Sequence, residues 1–565
     1  MHKGDLSVSV SLSETRPSDT LSVVTEQYSD LALSHAQAGT EVSAAQPLRM
    51  PLALIGQTLT RLLTSYRRRR GTVEPLAHCL ELIGGRGPSV VQLLVDSLPH
   101  AWSDHAIASI YAVLMPRDRR KQLGAYFTPP HLVDHLVWRL QACGMDLGRD
   151  RLRDPAAGGA AFLVPLARLM ISEWRSAGAT DLEILTRLPI RLLGSEIEPE
   201  LAIIANALLH RMLVKEFGID AEKAAGIGLV QTDDSLAEGR TNGDVDHEIG
   251  NPPFLRLSRL DHAQARPRFA DISSGRLNLY AMFVRRALEA VPVGGLVGYI
   301  LPASFLGGPE FSLFRRRVLQ LAEVLAIDMV EKRSDVFLDA IQDACFLILR
   351  RRRAPIDVAP PTLARSGILQ RDGRFEVFGL VELGASGAPW RLPGESCKGE
   401  ATLTDWGYRG SIGYLVANRQ AERLHVEAGE GRFPLIWAKA VTTEGSFDFA
   451  RGAAFKDRGW VAAPPDAPYV VRQACVAVQR TSSRGQNRRL NAAAIPEDFV
   501  HTHGGIVGEN HVILLVPTRT DAPPPEELAR ALNEQAASEE LDRICGSASI
   551  SVRLLESMRL RKPPT

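Results

Sequence analysis

Ile249-Gly250-Asn251-Pro252-Pro253-Phe254, preceded by Asp244-Val245-Asp246-His247-Glu248, decides how this chain is read. Consecutive prolines remove two backbone donors and fix φ, so the segment neither extends a central strand nor opens a helical turn. What remains is a stiff turn closing a short strand. It offers an amide side chain, the carbonyls of Gly250, Asn251 and Pro252, and an aromatic ring in one small volume. Such a set suits a flat base with an exocyclic amine, whose protons the oxygens accept while Phe254 stacks on the ring. An Asn-Pro pair by itself is a common loop opener, so the reading depends on the residues upstream.

Those residues form a series of strands that each end in a polar or glycine-bearing switch. Arg151-Leu152-Arg153 leads into Asp154-Pro155-Ala156-Ala157-Gly158-Gly159-Ala160-Ala161-Phe162-Leu163, a strand end, turn and helix with Phe162, Leu166, Leu169, Met170 and Trp174 on one face. The GxGxxG spacing is absent and no acid follows at about 20 residues, so this is not a dinucleotide fingerprint. A second strand over 190–193 ends at Gly194-Ser195-Glu196-Ile197-Glu198-Pro199, followed by a helix carrying Leu201, Ile204, Leu208 and Met212. A third, near 227–230, ends at Thr232-Asp233-Asp234-Ser235-Leu236, and the fourth ends in the Asn-Pro-Pro-Phe turn. Each acid alone reads as a helix cap. In open α/β sheets, however, ligands sit outside the carboxyl ends of the strands, and four such switches in succession describe one ligand-binding edge. Further upstream, Gly124-Ala125-Tyr126-Phe127-Thr128-Pro129-Pro130 opens a helix with Leu132, Val133, Leu136, Val137 and Leu140, its start marked by threonine and proline.

The remainder bounds the class. The chain has 565 residues, 45% hydrophobic, enough for two or three domains with ordinary cores. Residues 1–46 read as a flexible tail rich in Ser, Thr, Ala and acids, without the apolar core of a secretory signal. Residues 47–120 carry apolar groups at helical spacing and read as a small helical domain, 121–355 as the α/β domain. Helix-strand alternation stops after Arg350-Arg351-Arg352-Arg353, so 356–565 read as a separate α+β domain with β-like runs over 469–478 and 511–516 and a helix near 526–536. Six scattered cysteines fit a reducing cytoplasm rather than a disulfide framework or zinc site, and nothing reads as a membrane span. A net charge of +1 requires a nucleic-acid binder to segregate its charge. In the last third, Arg472, Arg480, Arg484, Arg488 and Arg489 stand among Gln479, Gln486, Asn487 and Asn491, residue types that contact phosphates and base edges.

The ordered motifs at 124–129, 154–163, 196–199, 234–236 and 251–254 resemble the gamma class of DNA adenine-N6 methyltransferases of restriction-modification systems. Leu279-Tyr280-Ala281-Met282-Phe283, the strands 295–300 and 344–349, and Val336-Phe337 add to the likeness, which is strong over 110–353 and weaker in the last third. The resemblance implies a Rossmann-like S-adenosylmethionine-dependent methyltransferase sheet with an N-terminal helical domain and a C-terminal α+β target-recognition domain. It also implies roles. Tyr126, Phe127 and Thr128 would close over S-adenosylmethionine, and Asp154, Ala156 and Gly158 would cradle its methionine part. Glu196 would hold the ribose hydroxyls, Ile197 would pack on the cofactor's adenine, and Asp234 would accept from its amine. Asn251 and the Pro252 carbonyl would bind the amine of a flipped target adenine in double-stranded DNA, with Pro253 stiffening the turn and Phe254 stacking. No metal is needed. Two positions depart from the pattern: Ala160 replaces the turn's second glycine, and Asp233 precedes Asp234 where glycine is usual.

Other readings compete. A glutamine-directed protein methyltransferase can carry a similar turn, an RNA methyltransferase can share the chemistry, and a DNA-binding regulator need not catalyse. The Tyr-Phe-Thr-Pro element and the Arg/Asn/Gln-rich last third favour DNA, and the intact turn favours catalysis. No Pro-Asp…Glu-x-Lys nuclease pattern stands out, so a restriction endonuclease for the same site is expected to be a separate chain.

Overall fold

The computed structural model describes residues 73–123, 128–237, 245–331, 343–357, 362–370, 372–394, 401–481, 488–544 and 550–563, with isolated positions between 55 and 68. Tyr126, Phe127, Val336, Phe337, Arg484, Gln486 and Asn487 lie outside them.

Short apolar runs bounded by turn residues build the central sheet. Its strands are β1 (Leu152–Asp154), β2 (Leu192–Glu196), β3 (Val230–Thr232), β4 (His247–Gly250), β5 (Leu296–Pro302), β6 (Ala322–Val330), β7 (Ala344–Arg351), β8 (Thr362–Leu369) and β9 (Phe375–Leu383), in the order β3-β2-β1-β4-β5-β7-β6-β8-β9. The first five are parallel, and β7 lies antiparallel between β5 and β6. This is the doubly wound α/β sheet expected from the sequence. Both faces are covered, so every residue of β4 and β5 is buried. Leu296 and Ile300 of β5 face one core with the N-terminal helices, while Val297, Tyr299 and Leu301 face another with the helix Leu279–Ala290, as the strand's two-residue period requires. The strand order reverses between β1 and β4, the switch point at which ligands bind in such sheets.

Three local expectations shift. The helix Asp181–Arg191, started by a Thr180/Glu183 capping box, runs through Ile190, so β2 begins at Leu192 rather than 190. Leu169 points to solvent, 45% exposed, although Phe162, Leu166, Met170 and Trp174 are buried as expected. β3 begins at Val230, where the 227–230 reading ended.

The sheet also continues past residue 355, where a domain boundary was expected. β8 pairs parallel with β6 and antiparallel with β9. Asp372-Gly373, with Gly373 at φ +80°, joins the hairpin, a turn signal legible in the sequence. Beyond it lie β10 (Tyr408–Ile412), β11 (Leu424–His425), β12 (Arg432–Ile436), β13 (Trp460–Ala462), β14 (Cys475–Gln479), β15 (Ala492–Ile495), β16 (Val507–Gly508) and β17 (Val512–Pro517). They form two four-stranded sheets, β10-β17-β14-β15 and β11-β13-β12-β16. The helices Pro525–Asn533 and Gln535–Ile544 supply Leu528, Leu532 and Leu541 to the core of the first. Among the described residues, no helix is long and apolar enough to cross a membrane, and no group of three or more His, Cys, Asp or Glu residues is placed to hold a metal ion.

Candidate active site

Asn251 follows the last residue of β4, and its amide has one fixed end. Its Nδ2 donates to the hydroxyl of Thr128 at 3.0 Å, while its Oδ1 is buried with no hydrogen-bond partner among the described residues. Thr128, 4% exposed, does not cap the following helix: Pro129 takes the cap position of Pro130–Ala142 without a side-chain bond. Thr128 thus reaches the Asn-Pro-Pro-Phe turn directly, a contact the sequence reading missed because it used threonine as a helix start. Pro252 is buried and Phe254 half-buried, its ring edge-on to Tyr280 with centroids 6.4 Å apart. Beneath the turn, Glu248 on β4 is 1% exposed and takes Arg153 of β1 as an ion-pair partner and the Tyr299 hydroxyl of β5 at 2.5 Å. This network ties three strands under the turn. Burial and the Glu248 charge hold the Tyr299 phenol far above its ordinary range, so it stays a donor.

The neighbouring strand ends form an acidic edge. Asp154 and Gly194 are register partners, and Gly250 lies so close that a Cβ there would stand 2.7 Å from Asp154 Oδ1. Asp154 Oδ1 accepts from the Ala156 amide at 3.0 Å, but Oδ2 is buried and has no partner among the described residues. Burial, reinforced by the Glu196 and Glu248 charges and opposed by the Ala156 amide, pushes Asp154 up to about 8. Glu196 accepts from the amides of Gly158 (2.7 Å) and Glu198 (2.9 Å), and burial outweighs those bonds to raise its pKa. Glu198 is paired with Arg119 and Glu248 with Arg153. Asp154 and Glu196 have no cationic partner among the described residues. Two unneutralised acids, one with an orphaned oxygen, fit a ligand carrying positive charge and hydroxyl donors.

The turn between β1 and its helix bends through Gly158 (φ +53°) and Ala160 (φ +60°). Left-handed backbone is costly for a residue with a Cβ, about 1 kcal/mol, so Ala160 strains the turn where the related pattern has glycine. Its methyl is nonetheless buried at 2% exposure. Ile197 stands 60% exposed next to Glu196, a flat apolar surface at the ligand-binding edge. Asp234 is exposed and accepts from Leu236 N at 2.9 Å, while Ser235 donates to Pro155 O at 2.7 Å, linking the β3 switch to the β1 turn. The structure therefore brings Thr128, Asp154, Gly158, Glu196 and Asn251 into one linked set.

The arginines of the last third are placed differently. Arg489 is 4% exposed and paired with Asp542. Arg488 donates to the carbonyls of Asn533 and Thr443, and Arg480 to that of Asn510. Gln479 and Asn491 bond each other, and Gln479 also bonds the carbonyls of Ala438 and Val441. These groups brace the domain from within. Arg472 is exposed, its guanidinium steadied by the carbonyls of Val470 and Pro465.

Over part of its length the chain is similar to known proteins. Residues 190–337 match the family described as Eco57I restriction-modification methylase. The chain is 29% identical over 227 residues to Type II methyltransferase M.PaeR7I of Pseudomonas aeruginosa, covering 38% of each chain. It is 27% identical over 225 residues to M.BsuBI of Bacillus subtilis, covering 39% of this chain and 42% of that one. The matches thus span less than half the length of either relative. Among solved structures, the DrdV–DNA complex overlaps 88% of this chain and 63% of its own at 12% identity and a TM-score of 0.46. The matched segment runs from β2 through the Asn-Pro-Pro-Phe turn to beyond β6, and over that segment the chain is similar to restriction-modification methylases.

Proposed function

We propose that the chain is a site-specific DNA methyltransferase that transfers a methyl group from S-adenosylmethionine to the N6 amine of a flipped adenine. The observation that carries this reading is the Asn251 amide: its nitrogen is tied to Thr128, leaving a buried oxygen with no donor among the described residues at the end of β4. An adenine amine is a poor nucleophile because its lone pair is delocalised into the ring. Asn251 Oδ1 and the Pro252 carbonyl accept hydrogen bonds from its two N–H groups, drawing the nitrogen toward tetrahedral geometry, while Phe254 stacks on the base; after transfer the methylated nitrogen releases one proton to solvent. When bound, S-adenosylmethionine supplies an electrophilic methyl on a positively charged sulfur. Asp154 takes the ammonium of its methionine part, Glu196 the ribose hydroxyls and Ile197 the adenine face. Catalysis then rests on alignment and fixed dipoles. Extruding the base costs a few kcal/mol, which stacking worth about 1–3 kcal/mol largely offsets. The modification would protect cytoplasmic DNA from a separate endonuclease cutting the same sequence.

The test is transfer of labelled methyl to unmethylated genomic DNA, with modified bases mapped by long-read sequencing. N6-methyladenine in one short motif is expected, falling by at least about 100-fold in Asn251→Ala. Thr128→Val should lower kcat by releasing the Asn251 amide, and Thr128→Ser should restore it. Methylation of RNA or of protein glutamine instead of DNA would overturn the reading.

A further inference from the structure

The C-terminal domain holds a cleft of about 570 Å³ between β10 and β17 on one side and residues 468–473 on the other. Its walls include Arg409, Arg472, Tyr414, Tyr469 and Gln473, and no carboxylate lines it among the described residues. Both arginines are exposed and neither has an acidic partner among the described residues. A concavity with two unneutralised guanidinium groups favours an anion.

Its aromatic wall narrows the class. Tyr414 and Tyr469 stack with centroids 3.9 Å apart and planes 2° from parallel. Arg423 lies over the Tyr469 ring and donates to its hydroxyl at 2.6 Å, locking that ring in place. Face-to-face pairing is the less favoured arrangement for two rings alone, so this pair is held by its surroundings. Tyr414 remains 49% exposed with one face already covered, which leaves a rigid flat surface open to the cleft. Gln473 donates through Nε2 to Pro517 O at 3.2 Å, orienting its amide so that Oε1 stays available. Guanidinium groups for phosphates, a stacking platform and an oriented amide are together what nucleic-acid strands engage.

We propose that this cleft is the DNA-contact site of the C-terminal domain, with Arg409 and Arg472 on phosphates, Tyr414 stacked on a nucleobase and Gln473 at a base edge. The assignment rests on the methyltransferase reading and moves the contact from Arg480, Arg488 and Arg489, which brace the fold, to this surface.

The experiment measures binding of the full chain to duplex DNA carrying its methylated motif, across salt concentrations. Arg409→Ala should weaken binding about tenfold and lower the salt slope by about 0.9. Tyr414→Ala should cost about tenfold, with Tyr414→Phe near wild type. Cofactor affinity and Tm should hold, and Arg374→Ala, on the distant β8–β9 hairpin, should change nothing. Unaltered affinity and salt slope in Arg409→Ala and Tyr414→Ala, in a protein that still methylates DNA, would overturn the cleft assignment alone. A wild-type chain that does not bind duplex DNA, or binds RNA of the same sequence equally well, would overturn the function with it.

Discussion

Asp154 is a buried acid placed where the free protein gains nothing from its charge. Its raised pKa means that the folded chain holds a proton there from the ordinary carboxylate range up to about 8. Because the folded state binds the extra proton across that window, stability falls as pH rises through it. A cationic ligand reverses the preference by favouring the carboxylate. S-adenosylmethionine affinity is therefore expected to rise with pH and level off above about 8, with proton release on binding below that point. Titration calorimetry in two buffers of different ionisation enthalpy measures the release, and Asp154→Asn should abolish both the release and the pH slope. An unchanged slope in the variant would remove Asp154 from the cofactor's ammonium. The acid itself was visible in the sequence, but its orphaned oxygen was not, because β2, β4 and the Ala156 amide surround it only after folding.

At the scale of elements, the helix Pro130–Ala142 matters because Thr128 stands just before it. One carboxylate anchors that helix to the sheet. Asp328 on β6, 0% exposed, accepts two bonds from Arg139 at 2.6 and 2.7 Å and one from His135 at 3.0 Å. Burial alone would raise its pKa, but the bonds and charges of Arg139 and His135 outweigh it and hold the carboxyl below its usual value. Its contribution is present above the ordinary carboxylate pKa and is lost as pH falls through the lowered one. Asp328→Asn strands a buried guanidinium and should cost about 3–5 kcal/mol in urea unfolding. Adding Arg139→Met should recover much of that loss, and a double variant as unstable as the single would show that the pairing is not what the helix rests on. The helix was legible from Leu132, Val133, Leu136 and Leu140. The anchor was not, since Arg139 and Asp328 are 189 residues apart.

Across the whole molecule, the C-terminal domain is joined to the central sheet by close backbone packing. A Cβ on Gly307 would lie 1.7 Å from the Ile544 carbonyl, and one on Gly387 would lie 2.2 Å from that of Ser312. Arg315, 1% exposed, donates to the carbonyls of Phe305, Gly308, Gly387 and Ala388 and stitches the segment after β9 to the core. Burial brings its pKa down to about 10, still charged at neutral pH. Arg543 donates to Leu392 O at 2.7 Å and pairs with Glu540 at 3.1 Å. Gly307→Ala should therefore pry the helix Gln535–Ile544 from the core, lower Tm by several degrees and expose the 385–394 segment to proteolysis, with cofactor binding retained and DNA methylation impaired. Wild-type protease resistance in that variant would mean that the joint yields without cost.

The parallel strands, their polar ends and the Asn-Pro-Pro-Phe turn are local matters of period, proline stiffness and turn chemistry, and they were readable residue by residue. The same holds for the Asp372-Gly373 hairpin signal, which was present although 356 was read as a boundary. Tertiary contact alone decided which side chains were left over. It gave Thr128 to Asn251 and left one amide oxygen unpartnered. It turned Arg480, Arg488 and Arg489 inward to carbonyls and Asp542, and it left Arg409 and Tyr414 facing a cleft. An arginine's local sequence is the same whether it meets a buried carbonyl or a phosphate. Partners tens to hundreds of residues away settle which, because satisfying a buried polar group is a property of the closed fold.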